Sequence, residues 1–103
     1  VDLESVILPE YQNLDKPLIE VFTVDSGSCA ACSYMLRAAV DAAEAIQEKV
    51  NVLEYKFTKP ENVARVLKMG VKNLPSLYIN GQLKYSSLIP GQQILIDEIK
   101  KHL

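Results

Sequence analysis

Leu18-Ile19-Glu20-Val21-Phe22-Thr23-Val24 runs into Asp25-Ser26-Gly27-Ser28 and then Cys29-Ala30-Ala31-Cys32, and the reading of this stretch decides the fold. Leu18 to Val24 is short, apolar and β-branched, as expected of a strand buried in a sheet. Asp25 to Ser28 is turn chemistry, and either Ser26 or Ser28 is suited to cap a helix. That helix is expected from about Cys29 to Glu48. Ala30, Ala31, Ala38, Ala39, Ala42, Ala43 and Ala45 all favour it. Leu36, Val40, Ala43 and Ile46 make an apolar stripe at helical spacing, with Met35, Ala39 and Ala42 beside it. Cys29 then sits at a helix N-terminus, where unsatisfied N–H groups and the helix dipole favour thiolate over thiol. Cys32 lies one turn deeper on nearly the same face. One of the two sulfurs can attack a substrate disulfide and the other release the mixed intermediate.

Working outward, Val50 to Phe57 reads as a second strand. Pro60 fits the first turn of a second helix and Gly70 a left-handed cap at its end, with Val63, Val66 and Leu67 as its buried face. Leu74-Pro75 leads into a strand, Ser76-Leu77-Tyr78-Ile79. Asn80-Gly81 is a strong hairpin signal, and Gln82 to Ser86 returns as the partner strand. Ile89-Pro90-Gly91 breaks this strand before a last helix reaching about His102, whose stripe is Ile96, Ile99 and Leu103 flanked by Leu95. Residues 1–16 carry Pro9, Asn13 and Asp15 with little periodicity, and read as an arm or linker with room for a short edge strand at Ser5-Val6-Ile7-Leu8. The order β-α-β-α-β-β-α predicts an α/β fold. Its first strands are parallel with right-handed crossovers and its last two form an antiparallel hairpin. The result is a mixed sheet of about four strands with helices on both faces.

Composition narrows the function. With 103 residues the chain suits one domain, residues 17–103 after the arm. Eleven Lys+Arg against thirteen Asp+Glu leave a net charge of −2, so no basic stripe exists for nucleic acid. No apolar run reaches the roughly 20 residues of a membrane span. The acidic start Val1-Asp2-Leu3-Glu4 lacks the basic beginning of a signal peptide, and a cytoplasmic location is expected. The missing initiator Met suggests a processed product or a domain of a larger chain. A bridge between the only two cysteines, three positions apart, closes too small a loop to add much stability, so redox chemistry or metal binding explains the pair better.

Taken together, Ile19-Glu20-Val21-Phe22, Cys29-Ala30-Ala31-Cys32, Gly70-Val71-Lys72-Asn73-Leu74-Pro75-Ser76-Leu77-Tyr78-Ile79-Asn80-Gly81 and Pro90-Gly91 resemble the thioredoxin superfamily. The likeness is closest to the small thioredoxin-like and glutaredoxin-like CxxC proteins of bacteria and archaea, and covers about residues 17–103. It implies a three-layer thioredoxin-like sandwich and a thiol–disulfide oxidoreductase or electron carrier. In that role Cys29 is the nucleophile, Cys32 the resolving thiol and Pro75 a cis proline, and the Leu74 backbone pairs with an extended substrate. A disulfide-containing protein or small molecule is the implied substrate, and a thiol or a reductase the electron donor. The dithiol carries the electrons itself, so no cofactor or metal is expected. The chain works as a monomer or as a domain of a larger one. Three positions depart from the family pattern. The spacer is Ala30-Ala31 where relatives often carry proline, Ser28 stands where thioredoxins proper have an aromatic residue, and Thr23 stands where they keep a buried acid.

Two rival classes remain. Ser26 to Cys32 also resembles the soft-metal loop of heavy-metal-associated domains, but those run β-α-β-β-α-β. Two chains sharing an iron–sulfur cluster would supply four thiolates, whereas Cys29, Cys32 and a remote His102 make a poor zinc set. A thioredoxin-like docking module with vestigial thiols is the other alternative. His102 itself reads as a cation at a helix C-terminus, Tyr34 as a possible flank of the cysteines, and the scattered tyrosines and lysines as core packing and solvated surface.

Overall fold

Strand β1 (Leu18–Thr23) is buried at every position, and its surroundings explain why. It lies inside a four-stranded sheet of order β2-β1-β3-β4. It is parallel to β2 (Asn51–Lys56) and antiparallel to β3 (Ser76–Ile79), which in turn pairs antiparallel with β4 (Gln82–Ser86). The computed structural model describes residues 3–103; Val1 and Asp2, at the start of the expected arm, lie outside the described residues. Alternation along β1 sends Ile19 and Val21 into a cluster with α1 (Ala30–Ala45) and α3 (Gln92–Lys100). Phe22 joins Val66 of α2 (Pro60–Met69) and Tyr78 on the opposite face. The α/β architecture is thus a mixed sheet between two helical layers, consistent with a thioredoxin-like fold.

Strand boundaries agree closely with the sequence patterns, and the hairpin shows the reason. Asn80 and Gly81 both take positive φ, 49° and 79°, the geometry that a two-residue turn between twisted strands requires. Asn80 also closes the sheet edge-on, because its Oδ1 accepts the Leu18 N–H at 2.9 Å. Pro60 stands at the start of α2, and Gly70 ends that helix with φ 69°.

Helix faces and ends differ more. In α1 the inward face is Cys32, Met35, Ala38, Ala39, Ala42 and Ala43; Leu36 and Val40 move to its flank. Small side chains let the helix approach the sheet, so the alanines, with Met35, face the strands in place of Leu36 and Val40. The helix stops at Ala45, short of Glu48, because Gln47 and Glu48 adopt left-handed φ values of 55° and 56° and turn the chain back toward β2. On α2 the buried residues are Asn62, Ala64 and Val66, and Leu67 is 58% exposed. Asn62 is admitted because its Nδ2 donates to the Lys56 carbonyl at 2.9 Å. On α3, Leu95 and Ile99 are the inward pair, and Leu103 lies past the helix end, exposed.

The arm forms no edge strand at Ser5–Leu8. Leu3–Ser5 make one 3-10 turn, and the following residues are held over α2 by side chains. Lys68 Nζ donates to the Val6 carbonyl at 2.7 Å and Arg65 to that of Ile7 at 3.5 Å. With these carbonyls taken by α2 cations, no ladder partner is needed.

Candidate active site

Thr23 ends β1, and the chain must reverse before α1 can pack back on the sheet. Asp25 builds that reversal. Its carboxylate accepts the Gly27 N–H at 2.9 Å, and its carbonyl accepts those of Ser28 and Cys29 at 3.0 and 2.8 Å. The Gly27 N–H, aided by Lys56 with Nζ at 3.5 Å, holds the Asp25 carboxyl below the usual carboxylate range. Neither Ser26 nor Ser28 caps the helix. Cys29 is the cap, with extended backbone (φ −111°, ψ 113°) and Sγ accepting the Cys32 N–H at 3.2 Å. The turn bonds through Asp25 bring Cys29 to that position, and a sulfur there can do what a serine oxygen does elsewhere.

Cys29 and Cys32 are joined as a disulfide with Cα atoms 5.2 Å apart. They are unequal: Cys29 is partly exposed, whereas Cys32 is fully buried, its Sγ meeting the Val24 N–H at 3.4 Å. Ala30, Ala31 and Tyr34 are exposed around them. The Leu74–Pro75 peptide bond is cis, and Pro75 is buried. Because β3 runs antiparallel to β1 with Phe22 opposite Ser76, Leu74 and Pro75 lie at the sheet end from which the cysteine loop emerges. Leu74 packs with the Phe22 cluster.

Two acidic groups escaped the sequence reading. Glu54, in alternation with Val52 on the α1 side of β2, accepts three hydrogen bonds: Thr23 Oγ1 at 2.6 Å, Ser26 N at 3.1 Å and Ser26 Oγ at 3.0 Å. Only the strand pairing reveals it, since Thr23 and Glu54 are 31 positions apart. Glu20, fully buried on the other face, accepts Tyr11 Oη at 2.6 Å and Tyr55 Oη at 2.7 Å. Burial first, and the Glu20 carboxylate second, push both phenol pKa values well up. The Arg65 guanidinium lies 4.5 Å over the Tyr55 ring. In sequence Glu20 looked like one polar letter in an apolar strand, and the phenols that satisfy it looked scattered.

His102 stands just past the C-terminal end of α3, where burial foremost, then the charge of Lys84, lowers its pKa. Among the described residues no three His, Cys, Asp or Glu side chains converge as a metal site, nor is any helix long and apolar enough to cross a membrane.

A family profile described as a thioredoxin domain matches residues 18–102. Among solved structures, a malarial protein is 24% identical with TM-score 0.64, over 86% of this chain and 99% of that one. Thioredoxin-2 of the malaria parasite, described as a component of its protein secretion machinery, is also 24% identical with TM-score 0.64, over 87% of each chain. Oxidised thioredoxin O2 from Arabidopsis thaliana is 14% identical with TM-score 0.60, over 85% of this chain and 75% of that one. These likenesses are of fold. A search of curated proteins found no match.

Proposed function

This chain belongs to the thioredoxin-domain family, and on that premise we propose that it is a thiol–disulfide oxidoreductase and electron carrier working through Cys29 and Cys32. One observation carries the reading: the two sulfurs of a single disulfide differ, one partly exposed at the start of α1 and one fully buried beneath it. In the reduced protein the Cys29 thiolate is stabilised by the Cys32 N–H and the other free N–H groups of the first turn. It attacks a substrate disulfide, one substrate sulfur leaves as thiolate, and a mixed disulfide remains on Cys29. Cys32, shielded from outside disulfides, then attacks Cys29 Sγ and releases the second substrate thiolate. The protein is left oxidised and the substrate reduced by two electrons.

Leu74 and Pro75 are assigned to substrate binding, the Leu74 backbone pairing with an extended segment of a disulfide-containing protein or small molecule. Their position at the same sheet end supports this. Residues 17–103 form the redox unit in this reading, with residues 1–16 as an arm. A thiol or a reductase regenerates the dithiol, and the expected setting is the cytoplasm.

The test is disulfide reduction by wild type against Cys29→Ala, with Cys32→Ser as a trap. Turnover that vanishes in Cys29→Ala, and mixed disulfides that accumulate on Cys29 in Cys32→Ser, are the expected results. Equal turnover by Cys29→Ala would overturn the assignment.

A further inference from the structure

We propose that the Glu54 carboxylate, acting through the Thr23 hydroxyl, takes the proton from Cys32 when that thiol resolves the mixed disulfide. The inference rests on the oxidoreductase reading above and assigns to Glu54 and Thr23 a role in positioning the proton.

A buried thiol is a poor nucleophile until it loses its proton, because burial in apolar surroundings favours the neutral form. Cys32 is fully buried. Its sulfur touches the backbone of Val24, and the residue before Val24 is the fully buried Thr23. Thr23 follows Val21 by two positions and so shares the sheet face that α1 covers. Its hydroxyl donates to Glu54 at 2.6 Å. A hydroxyl donates and accepts at once, so the same oxygen retains lone pairs for a thiol proton. Glu54 is fixed from the other side by both donors of Ser26, which ties its position to the loop that carries the cysteines. A threonine inside a sheet would usually satisfy its hydroxyl with a nearby carbonyl. This one reaches a carboxylate on the neighbouring strand.

Other charges around the site do not compete. Asp25 is engaged elsewhere, its carboxylate accepting the Gly27 N–H at 2.9 Å and pairing with Lys56 at 3.5 Å. Lys56 belongs to that pair. From α1 the charged neighbour of the groove beside Ser26 is Arg37, 4.0 Å from Asp41.

The step balances as follows. The Cys32 S–H proton moves to Thr23 Oγ1 as the Thr23 proton moves to Glu54. The Cys32 thiolate forms a bond to Cys29 Sγ, the bond between Cys29 and the substrate sulfur breaks, and that sulfur leaves as thiolate with the electron pair. Cys32 is oxidised and the leaving substrate sulfur is reduced, while Cys29 stays at the disulfide level it reached in the first attack. In the reverse direction Glu54 returns the proton to Cys32.

The test uses the aromatic disulfide dithionitrobenzoate and the full chain. Attack by Cys29 releases one thionitrobenzoate, and resolution by Cys32 releases the second, so the two phases separate the two thiols. In Glu54→Gln and Thr23→Val the second phase should slow by about tenfold or more between about pH 6 and 7, a modest loss for a general base. The first phase should stay within about twofold of wild type, far less than a proton-transfer effect. The gap should narrow as pH rises beyond the free-thiol value of about 8.5, where hydroxide increasingly ionises the buried thiol unaided. Thr23→Ser, which keeps the hydroxyl, should restore the second phase. An unchanged second phase, or one slowed equally at every pH, overturns the inference and leaves Glu54 as a loop anchor. If Glu54→Gln fails to fold, the near-isosteric Thr23→Val and Thr23→Ser carry the comparison. Absence of both phases in wild type refutes the oxidoreductase reading itself, and with it this step.

Discussion

Tyr55→Phe removes one oxygen and nothing else from beside Glu20, the most completely enclosed acid among the described residues. The phenol oxygen lies 2.7 Å from Glu20 Oε2. The ring stays, with its packing on Phe22 at 5.0 Å between centroids and Arg65 above it. The loss is therefore a hydrogen bond to a buried charged acceptor, and no cavity larger than a hydroxyl is created. Such a bond contributes about 1.5–3 kcal/mol, the upper part of the range applying because Glu20 has no access to water that could replace it. For a domain of this size, about 2 kcal/mol lowers Tm by about 10 °C. Urea unfolding is the assay: the midpoint should fall while the slope stays constant, since no additional surface is exposed. Tyr11→Phe removes the second donor and should cost a similar amount. The double variant should fall short of the sum, because the two phenols share one carboxylate. A midpoint unchanged within about 0.5 kcal/mol, the usual effect of a surface substitution, would refute the view that the phenols hold Glu20 in the interior.

Raised phenol pKa values also set an alkaline limit. Tyr11 and Tyr55 hold their protons more tightly folded than unfolded, so their contribution is complete below about pH 10 and declines as pH rises toward the folded values. Unfolding free energy measured across that window should drop, and Tyr55→Phe should flatten the decline. Gly81→Ala should destabilise by at least about 1–2 kcal/mol, the usual cost of a left-handed L-residue. Its new Cβ would also lie 2.7 Å from the Tyr11 ring, so part of the loss should disappear in a Tyr11→Ala background when both are unfolded in urea. Limited alkylation of the reduced protein at mildly acidic pH, followed by peptide mapping, should label Cys29 ahead of Cys32. Labelling in the opposite order would reverse the roles proposed for the two thiols.

Local chemistry made most of the architecture readable before any coordinates. Pro60, Gly70 and Asn80-Gly81 each require a particular backbone geometry, and each boundary they mark is found in place. The cysteine pair was legible because its spacing and the strand before it are both local. What escaped depends on contacts distant in sequence. The inward face of α1 is set by how closely alanines let the helix approach the sheet, which periodicity alone does not weigh. The arm's path is decided by Arg65 and Lys68, about 60 positions away. Glu20 and Glu54 each find their partners across strands or across the arm, so neither could be recognised from its neighbours in the chain. The helix cap was missed for another reason: Ser26 and Ser28 are better caps by propensity, but the Asp25 turn delivers Cys29 to the position instead.

That last substitution makes the Cys29 sulfur a structural member of α1. A thiolate is a stronger acceptor for the Cys32 N–H than a disulfide sulfur, since bonds to ionised acceptors are roughly twice as strong. Reduction, unfolding and reoxidation therefore close a thermodynamic cycle in which helix stability and electron affinity are two readings of one free energy. Each 1.4 kcal/mol by which the thiolate cap favours the folded dithiol over the folded disulfide raises the potential by about 30 mV relative to the unfolded peptide. Residues in the first turn of α1 can shift the potential of the Cys29–Cys32 pair in this way without touching either sulfur.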